Sequence, residues 1–203
     1  VTGVAREVAP FTMGVDCLSL PDEATAAAFY ASGYRFFGLY LEVLTDAARD
    51  AVFNAGMGIL PITLARTKEP LTPELGRQMG GDTVTRAMAR HIPMSVHIVL
   101  DLESPMEGSD VIGDLNEAAG VIDRAAYQSM LYVGAPQPLT AVELYALKPD
   151  RYWRSISRVP EPACGWSCLQ LTPGNQTIHG HLVDVDVIQQ DYRGRVPVLW
   201  FPS

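Results

Sequence analysis

The chain has 203 residues, of which 48% are hydrophobic and 19% charged, a balance that excludes intrinsic disorder, collagen-like repeats and coiled coil and leaves a core-forming globular domain. Fifteen basic against twenty-three acidic side chains give a formal net charge of −8, which excludes the positive field that a nucleic-acid backbone or an anionic lipid surface attracts. The apolar runs are interrupted too often to span a bilayer, so no membrane span is expected.

Residues 1–10 read as an N-terminal extension without the apolar core of a secretory signal, and residues 11–203 as one domain. A β-rich run at Phe11 to Leu18 is followed by a helical pattern that Pro21, Asp22 and Glu23 open and Gly33 ends. Next come RFFGLYL and a helix with Thr45 as N-cap, then MGILPITLA and a longer helical segment ending near His91. The strand SVHIVLDLES precedes a helix from about Asp110 to Tyr127, and SMLYVGAP precedes a short helical stretch, TAVELYALK. Three bare β-like runs complete the chain: DRYWRSIS, GWSCLQLT and HLVDVDVI. Five strand-helix units and three further strands make the eight that close a barrel, so the predicted fold is α/β, an irregular TIM-like (β/α)5β3 barrel. No strand is followed by a glycine-rich phosphate-binding motif, so no nucleotide cofactor is expected.

The period of two in SVHIVLDLES puts Val96, Ile98, Leu100 and Leu102 on one face, towards the helices, and His97, Val99, Asp101 and Glu103 on the other, into the barrel. Asp101 and Glu103 then stand at the C-terminal end of their strand, the rim where barrel enzymes assemble active sites. Their α-carbons are roughly 6.5 to 7 Å apart, close enough for each charge to perturb the other. Such a pair suits cleavage of a glycosidic bond, one group protonating the leaving oxygen and the other stabilising the oxocarbenium ion; a solvated strand end accounts for the same pattern. Asp16 ends the first strand on the face opposite Met13, Val15 and Cys17. In HLVDVDVI, Asp184 and Asp186 share one face. If TPGNQTIHG is a hairpin, the last strand runs antiparallel and Asp184 joins Asp16, Asp101 and Glu103 at the rim; a parallel crossover would bring Asp186 there instead.

Tyr40, Tyr132, Trp153 and Trp166 fall near strand ends and are candidates to stack on sugar rings, or core residues. His179 and His181 beside the acids fit no standard zinc spacing, and no metal is expected. Cys17, Cys164 and Cys168 do not make a disulfide scaffold; Cys164 and Cys168 are near enough in sequence to pair, or are buried thiols.

GVD in the first strand, DLE ending a middle strand, Gln170 in a late strand and the final VDVDVI together resemble the glycoside hydrolase family 25 lysozymes. They resemble still more a related bacterial glycoside-hydrolase-like family of unknown function, which also has stretches like GYRFFGLYL, LT and AGMGILPI, found here between Gly33 and Ile62. The resemblance implies a (β/α)5β3 barrel that cleaves peptidoglycan after N-acetylmuramic acid. It makes Glu103 the general acid, Asp101 its partner carboxylate, and Asp16 and Asp184 the acids that complete the ring. Tyr40, Tyr132, Trp153, Gln170 and Asp186 are the candidate substrate-binding residues. Leu169 and Leu171 around Gln170, where the lysozymes often have Trp and Tyr, and Leu39, where the relatives often have Arg, are departures expected to strip polar or stacking groups from the cleft. The expected partner is peptidoglycan or a related glycan, in a secreted, envelope or phage setting. The alternative is a non-catalytic glycan-binding or structural module with partner chains in a larger assembly.

Overall fold

The computed structural model describes residues 3–65, 69–135 and 139–203. After β1 (Gly3–Glu7), strand and helix alternate: β2 (Met13–Asp16) and α1 (Glu23–Ala31), β3 (Phe36–Tyr40) and α2 (Asp46–Asn54), β4 (Gly58–Leu64) and α3 (Pro73–Ala89). The alternation continues through β5 (His97–Leu102) and α4 (Val111–Arg124), then β6 (Gln128–Val133) and α5 (Ala141–Tyr145). It ends in β7 (Arg151–Arg154), β8 (Cys168–Gln170), β9 (Gln176–Ile178), β10 (His181–Ile188) and β11 (Val198–Pro202). Pro136, the last residue of the fifth predicted run, lies outside the described residues.

The hydrogen-bonded order β4-β3-β2-β10-β8-β7-β6-β5, closed by pairing of β5 with β4, is an eight-stranded barrel. The strands run parallel except β10, which is antiparallel to both β8 and β2. This is the predicted (β/α)5β3 arrangement, and the hairpin that decides the direction of β10 is present, with β9 folded back against it. The helix starts are local chemistry. The Asp22 carboxylate accepts the Thr25 N–H at 2.8 Å and the Thr45 hydroxyl accepts the Ala48 N–H at 3.2 Å, each satisfying a backbone donor that the first helical turn leaves unpaired.

The alternation along the strands separates two apolar layers. Val96, Ile98, Leu100 and Leu102 pack outward with the helices, while Val99 joins Phe36, Leu60, Met130, Trp153 and Cys168 inside the barrel. Glycines make this interior possible: a Cβ at Gly14 would stand 2.3 Å from the Phe36 ring, so Phe36 fills the space that Gly14 leaves.

Two features went unread in the sequence. Residues 3–7, within the predicted extension, form a strand paired antiparallel with β11, and β11 contacts the start of β4 through Trp200 opposite Ile59. Leu199, Phe201 and Val8 join the interior cluster and form the floor of the barrel, where the Val198 N–H donates to His97 Nδ1 at 2.9 Å. Burial pushes the His97 imidazole down to about 4, so it stays neutral as an acceptor for that N–H. All three cysteines are buried free thiols. Cys168 faces the barrel interior and Cys164 the outer layer, so pairing gives way to burial on opposite sides of the wall. No described helix is long and apolar enough to cross a membrane.

Candidate active site

Asp16 ends β2, Asp101 lies near the end of β5 with Glu103 one residue beyond it, and Asp184 enters on β10 directly opposite Asp16. The four acids line one pocket of about 580 Å³ at the C-terminal rim of the barrel. Its aromatic wall is Tyr40, Tyr132 and Trp153, the last 1% exposed and serving as floor. Two inward glycines leave the carboxylates their space: a Cβ at Gly38 would stand 2.7 Å from Asp16 Cβ, and one at Gly134 would stand 2.5 Å from Glu103 Cγ.

The Tyr40 hydroxyl donates to Asp101 Oδ2 at 3.0 Å. Burial, then the charges of Asp101 and Asp16, push this phenol far above its ordinary range, so it remains a donor that orients the Asp101 carboxylate. The Tyr132 ring meets the Trp153 ring edge-on at 5.1 Å, and its hydroxyl donates to Gln170 Oε1 at 2.9 Å. Asp184 accepts the backbone N–H of Asn175. Burial, with the nearby charge of Asp184, pushes the Asp16 carboxyl up to about 7, and the Asp186 carboxyl lies beside it. Burial first, then the charge of Asp16, raises the Cys17 thiol to about 12, so this pocket-lining cysteine stays a neutral thiol.

Six of the nine site residues proposed for substrate contact or the acid ring come to the pocket wall, and Trp153 forms its floor; Gln170 and Asp186 do not line it. Gln170 is 6% exposed, and its Oε1 also accepts the Ile156 N–H at 3.1 Å, so it acts through Tyr132. Asp186 is fully buried one inward position deeper than Asp184, opposite Gly14, and its Oδ1 accepts the Trp153 indole N–H at 3.1 Å. The period of two assigns a side of the wall but not a depth within the barrel. Trp166 packs in the outer core, away from the pocket.

The expected loss of cleft groups at Leu39, Leu169 and Leu171 is corrected. All three belong to the outer apolar layer with the helices, because they alternate with the inward Tyr40 and Gln170, so they leave the cleft unchanged. His179 and His181 pack against Phe29 and pair with hydroxyls of Ser32 and Thr25 at 2.8 and 3.0 Å. No cluster of three His, Cys, Asp or Glu able to hold a metal occurs among the described residues. The sequence reading missed Asn175, Gly38 and Gly134. The two glycines were within reach, since each lies two residues from an inward tyrosine on its strand, whereas nothing in the turn marked Asn175.

No protein-family model and no curated protein matches the chain. Solved structures do. The Tat-secreted protein of Mycobacterium tuberculosis in complex with L-tartrate aligns with TM-score 0.68 at 13% identity, over 88% of this chain and 95% of that one. The catalytic domain of endolysin ply40 from a bacteriophage of Listeria monocytogenes aligns with TM-score 0.60 at 12% identity, over 88% and 93%. A family 25 glycosyl hydrolase from Bacillus anthracis aligns with TM-score 0.57 at 12% identity, over 91% of each chain. With eight strands in the (β/α)5β3 order, the chain therefore has the fold of the family 25 glycoside hydrolases.

Proposed function

We propose that this protein is a peptidoglycan-directed glycoside hydrolase. The observation that carries the proposal is the convergence of Asp16, Asp101, Glu103 and Asp184, from three separate strands, on one sugar-sized pocket. Glu103 donates the proton to the leaving glycosidic oxygen. Asp101, oriented by Tyr40, supports the positive charge that develops at the anomeric carbon, where a preformed carboxylate in a partly dry site acts without reorganising. Tyr40, Tyr132 and the edge of Trp153 give the sugar an aromatic wall. The Tat-secreted and endolysin neighbours support a setting outside the cytoplasm or in a phage.

The net charge of −8 favours a second reading, a glycan-binding or structural module with partner chains, because an acidic protein gains no steering towards an anionic wall polymer. Timed incubation with purified peptidoglycan separates the two. The hydrolase is expected to generate new reducing ends in proportion to protein and time, whereas binding to glycan fragments with no reducing ends over long incubation overturns the hydrolase reading.

A further inference from the structure

Asp186 is the inward acid that does not reach the pocket, and it is the most enclosed. Its Oδ1 takes the Trp153 indole N–H, while Oδ2 is buried and receives no N–H among the described residues. A carboxylate stripped of water and given one neutral donor is costly to keep charged, and a shared proton is the remaining way to satisfy it. Asp16 supplies the partner: it sits on the adjacent β2, one inward position above, with its carboxyl beside that of Asp186. Asp16 in turn lines the pocket and Asp186 does not.

We propose that Asp186 is a positioning residue: from beneath the pocket its carboxyl hydrogen is held against the Asp16 carboxylate, so that the two acids present the substrate with one negative charge on a fixed Asp16. The titratable groups facing this pair are Asp184 on the same strand, Cys168 on β8, Tyr132 on β6 and, towards Asp16, its neighbour Cys17, Asp101 on β5 and Tyr40 on β3. Burial, followed by the charge of Asp16, holds the Asp186 carboxyl well above the ordinary carboxylate range. Above the ordinary aspartate range the unfolded chain has released this proton and the native chain has not, so the native state loses stability as pH rises. Asp186→Asn has no proton to release and escapes that loss.

The role of the pair in turnover rests on the hydrolase reading; the shared proton does not, and one experiment keeps them apart. Thermal unfolding of the full chain is followed from pH 5 to 8 for the native protein and Asp186→Asn. The variant is expected to gain on the native protein as pH rises, the gap in Tm widening by about 5 °C across the range. A gap that stays constant with pH overturns the shared proton. Asp16→Asn repeats the comparison from the other side of the pair should Asp186→Asn not fold. The release of reducing ends against pH tests the positioning. Asp186→Asn keeps a donor to Asp16 and retains the native acid limb, whereas Asp186→Leu removes the donor and moves that limb up by about one pH unit. Identical limbs in all three proteins overturn the positioning role. A native protein that releases no ends at any pH overturns the hydrolase reading, while the Tm series still decides the proton.

Discussion

Glu103→Gln is expected to lower the release of reducing ends from peptidoglycan by a factor of about 10² to 10⁴, the usual contribution of a positioned general acid. The substitution is nearly isosteric. It keeps the volume against which Gly134 gives way and changes only the capacity to deliver a proton, so Tm should move little. A side chain at residue 103 that served only to close the rim would show the reverse, a changed Tm with turnover retained. Steady-state release together with thermal unfolding checks both halves, and unchanged turnover in Glu103→Gln would remove Glu103 from the reaction.

Gly76→Leu is expected to cost the fold at least ~3 kcal/mol, lowering Tm by roughly 6 to 12 °C in a domain of this size. Helix α3 crosses α4 so closely that a Cβ on Gly76 would stand 2.0 Å from the backbone oxygen of Asp114, and one on Gly80, a turn later, 2.8 Å from that of Ala118. Backbone cannot rotate aside as a side chain can, so the helices must part. The separation would reach the rim, because the Asp110 N–H at the start of α4 donates to the Leu71 carbonyl ahead of α3 at 2.8 Å, and Glu103 lies on the segment just before Asp110. Gly81, in the same helix with nothing within 4 Å of its virtual Cβ, is the control. There Ala should be stabilising by about 0.5–1 kcal/mol, from helix propensity and a less flexible unfolded chain. Equal and small effects at the two positions would show that α3 and α4 do not pack as described.

The architecture was legible because its signals are local. Alternation in SVHIVLDLES placed Asp101 and Glu103 inside the barrel, and Thr45 and Asp22 announced their helices through side-chain capping. The floor was not legible, because β1 and β11 pair residues 3–7 with residues 198–202, and neither segment shows from its own pattern what it will meet. Within the site, alternation settled which acids point inward and left their depth open. Alternation treats Asp184 and Asp186 alike, and the hairpin ahead of β10 decides that Asp184 lines the pocket while Asp186 lies sealed beneath it against Trp153. The resemblance marks Leu39, Leu169 and Leu171 as departures without saying which face of the strand they occupy. Each is the immediate neighbour of the inward Tyr40 or Gln170, so the period of two places all three on the outer face, among the helices.

A crystal structure of Glu103→Gln with a tetrasaccharide of alternating N-acetylglucosamine and N-acetylmuramic acid tests the central assignment most directly. The scissile oxygen is expected within hydrogen-bonding distance of the residue 103 amide, with the sugar on its non-reducing side resting against Asp101 and Tyr40. A glycan seated elsewhere on the barrel, or spanning the rim with its linkages out of reach of Glu103 and Asp101, would contradict it.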